Sequence, residues 1–240
     1  MVPRTPFASI WFDCDSTLSA LEGVDELGRS RDPETLQAVE ELTAHAMSGE
    51  LPLAEVYGAR LAKLAPTRAE CDAIGARYVD TLIPDARLVL DALRFLGKQV
   101  GIVSGGLLPP VAALAAALGI DRDHVFAVPI HFHADGSYDD FDRSCPLSRN
   151  GGKVDVLGAR PPEERPLAFV GDGVTDLEAT PVVDRFVGFG GVVRRPAVEQ
   201  GSSCYAIGPG LATTLPFLLT EAEWSTLRDT ASFSALFTAR

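Results

Sequence analysis

Two carboxylates, Asp13 and Asp15, directly follow a short apolar stretch at residues 8–12. Its apolar, β-branched and aromatic side chains predict a buried strand that ends at the two acids. Residues two apart in an extended chain point to the same side, so both carboxylates should emerge together. Like charges this close are tolerated when a cation lies between them or when one is protonated. The pair therefore indicates a metal or proton-transfer site, and an acidic loop after a strand is an equally open interpretation of Asp-x-Asp alone.

Further polar groups lie where other predicted elements end or begin. Ser104 and two glycines follow a strand predicted at 99–103, Asp172 and Asp176 follow one at 167–170, and Lys153 opens a helix after Gly-Gly. Each fragment taken alone is by default a turn or a solvated surface lysine. The carboxyl ends of parallel strands share one edge of a sheet, so these groups should converge. A hydroxyl, a lysine and four carboxylates together are what phosphoryl transfer to a carboxylate requires: a nucleophile, a hard cation and fixed donors for phosphate oxygens.

Helices and strands alternate from residue 84 onwards. Helices are predicted at 86–96 and 109–118, and strands at 99–103, 167–170, 186–189 and 204–207. Asp135-Gly136 lies between apolar runs at 125–132 and 137–141 and predicts a hairpin. The tail at 220–237 predicts one amphipathic helix. The alternation indicates an α/β fold, a parallel sheet with helices on both faces.

Residues 19–83 predict a small bundle of helices inserted after the first strand. One helix lies around 21–29, a second begins at Asp32 and closes at Gly49, and a third follows Pro52. Thr67 and Glu70 form a capping box for a fourth helix that ends near residue 81. The third helix carries an apolar stripe at helical spacing, with Arg60 on almost the same face; the stripe is Leu53, Val56, Tyr57, Leu61 and Leu64.

Composition excludes several classes of partner. The 240 residues carry a formal net charge of −12, which argues against nucleic acid or an anionic membrane as the main partner. Four scattered cysteines show no zinc or disulfide spacing and favour a reduced, cytoplasmic setting. No apolar stretch is long enough to cross a bilayer and no signal peptide is evident, so we expect a soluble protein. We also expect no regulatory domain ahead of the catalytic core, because little chain precedes Ala8.

Four motifs resemble, in order, those of the haloacid dehalogenase superfamily. They are DCDST at 13–17, SGG at 104–106, Lys153 and GDGVTD at 171–176. The resemblance covers nearly the whole chain and implies a Rossmann-like catalytic core formed by residues 1–18 and 84–240. It also implies a helical cap formed by residues 19–83.

The resemblance assigns a role to each core motif. Asp13 would attack phosphorus and carry a phosphoaspartyl intermediate, and Asp15 would act as general acid and then base. Mg²⁺ would be held by the Asp13 carboxylate, the Asp15 backbone carbonyl and Asp172, with Asp176 ordering its water ligands. The phosphoryl oxygens would be bound by Ser104, the Gly105 amide and Lys153, and Thr175 would contact the substrate.

Substrate choice in this family comes from the cap. Glu22 matches the residue expected near a substrate ammonium group, and Arg60 the residue expected to hold a substrate carboxylate bidentately. Met47 falls where the family places an apolar lid residue, and Leu53 stands where phenylalanine is expected. The loop at 142–149 is only loosely similar to the family pattern, so the lid could close less tightly or admit a different phosphomonoester.

The expected activity is Mg²⁺-dependent hydrolysis of O-phospho-L-serine in serine biosynthesis, by a monomer or homodimer. Two alternatives are a phosphatase for another small phosphomonoester and a phosphotransferase that passes the phosphoryl group to an alcohol. A third, from a different class, is a binding module that has lost turnover. Nothing in the sequence supports that third alternative, because every group needed for the chemistry is present.

Overall fold

A central sheet of six parallel strands organises the protein. The computed structural model describes residues 2–47 and 53–237. Its strands are β1 (Ser9–Phe12), β2 (Gln99–Leu107), β3 (Val125–Val128), β4 (Ile130–Phe132), β5 (Tyr138–Phe141), β6 (Leu167–Gly171), β7 (Arg185–Phe189) and β8 (Tyr205–Ala206). The six-stranded sheet has the order β3-β2-β1-β6-β7-β8, and β4 and β5 form a separate antiparallel pair. The predicted parallel α/β fold is confirmed.

The first strand lies in the middle of this sheet. Ile10 is registered with Val100 of β2 on one side and with Ala168 of β6 on the other, in parallel on both sides. Every residue of β1 is buried, which is typical of a strand covered on both faces and explains its continuous apolar sequence. All six strands are parallel, so the ends of β1, β2 and β6 that carry the polar motifs share one edge.

Two strand predictions need correction. The strand predicted at 99–103 continues to Leu107, so Ser104 and its two glycines lie inside β2 rather than after it, at a point where the register with β3 shifts. The run at 125–132 is two strands, because Pro129 has no N–H to donate to a sheet ladder. β3 joins the main sheet, whereas β4 pairs with β5 around the predicted Asp135-Gly136 turn, where Gly136 has φ of 86°.

Eleven helices lie in the described residues. They are α1 (Gly23–Arg29), α2 (Pro33–Met47), α3 (Leu53–Leu64), α4 (Arg68–Asp80), α5 (Ala86–Phe95), α6 (Leu108–Ala117), α7 (Gly152–Gly158), α8 (Val174–Leu177), α9 (Pro196–Gly201), α10 (Leu215–Leu218) and α11 (Glu221–Arg228). None of the helices in residues 2–47 and 53–237 combines the length and the apolar character needed to cross a bilayer.

The segment 19–83 contains α1 to α4, as its helical spacing predicts. Asp32 accepts a hydrogen bond from the Thr35 amide at 2.9 Å, and Thr67 with Glu70 forms a complete capping box at the start of α4. Gly49 and Pro52, the predicted boundaries between α2 and α3, lie outside the described residues. α4 packs closely on α6, because a Cβ at Gly75 would lie 2.8 Å from the Ala113 Cβ.

The tail is not the single helix that its amphipathic pattern predicts. α11 ends at Arg228, and residues 231–237 form a 3-10 helix after the turn. This turn lets the tail fold back, so that Phe233 packs on Phe95 and Phe237 meets Trp224 edge to face, with ring centroids 5.2 and 5.0 Å apart. A continuous helix would carry these rings away from each other.

Candidate active site

A cleft of about 440 Å³ opens at the carboxyl ends of the central strands. It is bounded by core motifs on one side and by α1 and α3 on the other. Among the described residues, seven carboxylates and four basic side chains line it: Asp13, Asp15, Glu22, Asp25, Asp172, Asp176 and Glu178, with Arg60, Arg149, Lys153 and Arg195. This balance leaves the cleft acidic, so an anionic ligand needs an additional local cation to enter it.

Asp13 follows β1 directly and is only 6% exposed. Its backbone N–H donates to the Val170 carbonyl at 2.9 Å, which continues the pairing with β6 and fixes the direction of the side chain. One carboxylate oxygen accepts from Lys153 Nζ at 2.7 Å. Burial and the neighbouring Asp176 raise the pKa of Asp13 well above its usual range, although Lys153 opposes this. The side chain is therefore held with one oxygen in an ion pair and its negative charge only partly compensated.

Asp15 lies in a tight turn that begins at Cys14, and it lines the same cleft as Asp13. Its Oδ1 accepts from the Tyr78 hydroxyl at 2.5 Å and from the Gly23 amide at 2.8 Å. Burial, followed by the charge of Glu22, raises the pKa of this carboxyl to about 7. A carboxyl group that titrates near neutrality can both donate and accept a proton during turnover.

Three buried carboxylates form a cluster that fits a hard metal ion. Asp13, Asp172 and Asp176 each present an oxygen, and these oxygens lie within 4.8 Å of one another. Burial and Asp176 raise the pKa of Asp172 to about 6, against the influence of Arg195. Oxygen-only donors with excess negative charge suit a divalent cation such as those of the Mg²⁺ and Ca²⁺ class. Asp176 contributes directly to this cluster, and the Asp15 side chain is not one of its members.

Lys153 bridges two members of the cluster from the start of α7. Its Nζ contacts Asp13 and Asp176, and the residue is 7% exposed. Burial lowers the pKa of this ammonium group, but the two carboxylates outweigh burial and raise it above its usual range. The lysine therefore stays charged and places a fixed positive charge beside the nucleophile candidate.

The turn-forming motif inside β2 contributes backbone to the cleft. Gly105 and Gly106 both line it, whereas Ser104 is fully buried and is not among the lining residues. The Ser104 hydroxyl accepts from the Gly106 amide at 2.9 Å, and its own proton remains available. The glycines have no side chain to block a ligand from their N–H groups.

The predicted substrate-binding residues are placed as follows. Glu22, Arg60 and Thr175 line the cleft. Glu22 accepts from the Ser16 hydroxyl at 2.7 Å, and Arg60 Nη2 donates to Asp25 at 2.9 Å. Met47 ends α2 and Leu53 begins α3, but their side chains lie outside the described part of the structure.

Four residues that make contacts in this site were not predicted to take part in it. Tyr78 donates to Asp15, Arg195 donates to Asp172 at 3.0 Å and approaches Glu22 at 3.4 Å, and Asp25 pairs with Arg60. The fourth is Tyr57, whose hydroxyl donates to the Gly105 carbonyl at 3.0 Å. Arg195 follows the carboxyl end of β7, so its place after a parallel strand is the one signal that could have identified it.

The arrangement provides a carboxylate nucleophile, a second carboxyl group that exchanges protons near neutrality, and donors for oxyanions. These groups fit nucleophilic displacement at an electrophile that carries several anionic oxygens, since donors and nucleophile face one cavity. A tetrahedral phosphoryl group meets that description.

Comparison with known proteins agrees with this chemistry. The sequence profile of the haloacid dehalogenase-like hydrolases matches residues 10–180. Phosphoserine phosphatase of Rattus norvegicus is 36% identical over 199 residues, which cover 82% of this chain and 88% of the rat protein.

Solved structures share the fold. A phosphoserine phosphohydrolase-like protein from Francisella tularensis has a TM-score of 0.72 at 24% identity, covering 91% of this chain and 98% of that one. A phosphoaspartyl intermediate analogue of phosphoserine phosphatase has a TM-score of 0.71 at 23% identity, covering 89% of this chain and 100% of that one. The chain thus belongs to the haloacid dehalogenase-like hydrolases and, within them, to the phosphoserine phosphatase family.

Proposed function

We propose that the protein is a Mg²⁺-dependent phosphatase that hydrolyses O-phospho-L-serine to serine and phosphate through a phosphoaspartyl intermediate. The observation that carries the proposal is the pairing of two unlike carboxyl groups. Asp13 is in contact with Lys153 and the acidic cluster, and Asp15 is a proton-exchanging group with a pKa raised to about 7 by burial and then by Glu22.

In the first step, an Asp13 oxygen attacks phosphorus and the bond to the serine oxygen breaks. Asp15 gives its proton to that oxygen as it leaves. In the second step, Asp15 takes a proton from a water molecule, which attacks the phosphoaspartyl group and releases phosphate and the Asp13 carboxylate. Lys153, the Gly105 amide and Ser104 hold the phosphoryl oxygens through both steps.

The Asp13 and Asp172 carboxylates and the Asp15 backbone carbonyl would hold the divalent ion. Asp176, whose carboxylate lies in the same cluster, would order the water ligands of the ion or bind it directly. When bound, the ion neutralises carboxylate charge and polarises a phosphoryl oxygen. The metal ion would also offset the negative charge of the cleft. Seven carboxylates line it within the described chain, and without a cation they would repel a phosphate dianion.

We assign residues 19–83 to a cap and residues 1–18 and 84–240 to the catalytic core. From the cap, Arg60 would pair with the substrate carboxylate and Glu22 would receive its ammonium group, with Thr175 contacting the substrate from the core. Met47 and Leu53 would close the apolar side of the lid. The enzyme would work in the cytoplasm as a monomer or homodimer, in serine biosynthesis; the four free thiols are typical of a reducing compartment.

A screen of phosphate release tests this function. We expect phosphoserine to give a higher kcat/KM than phosphoethanolamine, histidinol phosphate and sugar phosphates, with activity lost on chelation and restored by Mg²⁺. Asp13→Asn should abolish turnover because the amide is not a nucleophile for phosphorus. Another ester far ahead of phosphoserine would refute the substrate, and near-normal turnover by Asp13→Asn would refute the mechanism.

A further inference from the structure

Tyr57 joins α3 to the Ser104-Gly105-Gly106 segment of β2, the proposed phosphate-binding segment. Its hydroxyl donates to the Gly105 carbonyl at 3.0 Å, and the residue is 8% exposed. Its ring packs on Phe141 of β5, with centroids 5.3 Å apart and an interplanar angle of 55°. The helix approaches closely here, since a Cβ at Gly58 would lie 3.3 Å from the Phe141 ring. One polar and one aromatic contact therefore hold α3 against elements outside the 19–83 segment.

The Gly105 carbonyl is suited to accept this bond. The pairing of β2 with β3 shifts in register between Val103 and Leu107, so the regular ladder is interrupted around Gly105. A side chain of α3 thus supplies a hydrogen bond at a break in the sheet. Gly105 is also the residue whose amide is assigned to the phosphoryl group, so Tyr57 ties α3, through the Gly105 carbonyl, to the strand that carries this amide.

Arg60 lies three residues after Tyr57, so the two are neighbours on one face of α3. Both line the cleft. Within the described residues, the Arg60 guanidinium pairs with Asp25, whose side chain is 59% exposed, and the Arg60 Nε is buried without a hydrogen-bond partner. The position of this guanidinium therefore depends on where α3 is held.

We propose that Tyr57 is a positioning residue. Its hydrogen bond to the Gly105 carbonyl, called the latch below, holds α3 in place and thereby sets the distance between Arg60 and the phosphate-binding segment. The inference rests on the proposed function, because it assigns the substrate carboxylate to Arg60. A rigid link between the two anchoring points favours a ligand whose carboxylate and phosphate are separated as in phosphoserine, and it has no effect on an ester without a carboxylate.

The variant Tyr57→Phe tests the latch, because it keeps the ring on Phe141 and removes only the hydroxyl. We expect KM for phosphoserine to rise about three- to tenfold, the range for one neutral hydrogen bond, with kcat within about twofold. For p-nitrophenyl phosphate, kcat/KM should stay within about twofold. Tyr138→Phe is the matched control, because it removes a hydroxyl from a half-buried tyrosine of the β4-β5 hairpin that does not line the cleft.

A double variant separates positioning of Arg60 from a general effect. In an Arg60→Ala background, Tyr57→Phe should add nothing to KM, because the group that it positions is gone. Additive effects of the two substitutions, or equal losses on phosphoserine and p-nitrophenyl phosphate, would overturn the proposal.

Amide hydrogen exchange measures the latch without substrate. Exchange in α3 should be faster in Tyr57→Phe than in the wild type and in Tyr138→Phe. Unchanged exchange would overturn the latch, whatever the substrate is. Failure of the wild type to hydrolyse phosphoserine would instead refute the proposed function, and the exchange result would still decide the latch.

Discussion

At the scale of single residues, Asp13 and Asp15 show how two identical side chains acquire different roles. Asp13 meets an ammonium group at 2.7 Å, whereas Asp15 meets a phenol and a backbone amide and lies in the field of Glu22. Burial and the charge of Glu22 raise the pKa of Asp15 to about 7, although its two hydrogen-bond donors lower it. Burial and Asp176 also raise the pKa of Asp13, but one of its oxygens is paired with the Lys153 ammonium group. These different surroundings support the proposal that Asp15 is the acid and Asp13 the nucleophile.

The substitution Glu22→Gln should shift the pH dependence of activity. Glu22 is the largest cause after burial that raises the pKa of Asp15, so its neutralisation lowers that pKa. Asp15 must be protonated to act as acid, so the alkaline limb of kcat/KM should move to lower pH, on the order of half a unit. The measurement is a pH profile on an alkyl phosphate without an amino group, so that loss of ammonium binding does not contribute.

Glu178→Gln is the control for this shift. Glu178 also lines the cleft and accepts from the Gly151 amide at 2.9 Å, but it is not among the main influences on Asp15. Its profile should keep the wild-type limb. If the alkaline limb of kcat/KM moved equally in both variants, the shift would reflect the charge of the whole cleft and not the interaction between Glu22 and Asp15.

The candidate residues of the cleft could be identified from the sequence, whereas their hydrogen-bond partners could not. Asp13, Lys153 and Asp172 lie beside glycines or at strand ends, and these are local signals. Tyr78 and Tyr57 are tyrosines on helical faces whose pattern fits simple core packing, and only the fold shows that their hydroxyls reach Asp15 and Gly105. Contacts between residues about 50 to 60 positions apart leave no local signature.

At the scale of elements, α7 depends on the small size of its first residue. A Cβ on Gly152 would lie 1.9 Å from the Pro146 carbonyl oxygen and 2.5 Å from its carbon. Both are backbone atoms, so the start of the helix and the preceding turn would have to separate. Lys153 follows immediately, and any displacement of the turn moves its ammonium group away from Asp13.

Gly152→Ala should therefore impair both catalysis and folding. We expect a loss of at least about tenfold in kcat, because small misplacements of a catalytic group are costly, with a destabilisation of about 1–3 kcal/mol from the forced contact. Steady-state kinetics and urea unfolding measure the two effects.

Gly158→Ala at the other end of α7 is the matched substitution. Its Cβ would meet Val182 at 3.6 Å, an ordinary contact, so stability should be unchanged or improved by about 0.5–1 kcal/mol. Equal kinetic losses in the two alanine variants would contradict the steric explanation.

Most elements followed from periodicity and from start and stop residues. Gly97 and Gly119 adopt φ of 75° and 67° beyond the ends of α5 and α6, as their positions predict. The prediction of one tail helix at 220–237 was wrong because the amphipathic period continues through residues 229–230. Only the packing of Phe233 on Phe95 shows why the chain turns there. The end of β2 was also misplaced, because a Ser-Gly-Gly run is typical of a turn but is accommodated here by a shift in register.

At the scale of the whole molecule, a buried ion pair fastens the tail to the sheet at the edge opposite the cleft. Lys98 precedes β2, and its Nζ donates to Glu223 of α11 at 2.6 Å and to the Phe7 carbonyl at 3.0 Å. The other Glu223 oxygen caps α11 by accepting from the Thr220 amide at 2.9 Å. One carboxylate thus completes a helix and compensates a buried ammonium group.

Loss of this carboxylate should affect stability and leave the chemistry intact. Glu223→Ala leaves the Lys98 ammonium buried without its ionic partner, which costs about 3–5 kcal/mol of unfolding free energy. Equilibrium denaturation measures this loss, and kcat/KM per folded molecule should match the wild type. Combining Lys98→Met with Glu223→Gln removes both charges and keeps a cap acceptor, so it should recover most of the lost stability. A large change in kcat for Glu223→Ala would contradict the expectation that this ion pair stabilises the fold without influencing the cleft at the opposite edge of the sheet.

The order of the strands has a consequence for partial unfolding. Asp13 follows the middle strand β1, the proposed phosphate-binding residues Ser104 and Gly105 lie in the neighbouring strand β2, and Asp172 follows the other neighbour, β6. Fraying that starts at β8 must pass β7 before it reaches Asp172 after β6, whereas loss of β3 exposes β2 directly. Mild denaturant that loosens only β8 should therefore leave turnover intact, whereas separation of β3 should reduce turnover at once, which activity measured beside amide hydrogen exchange would show.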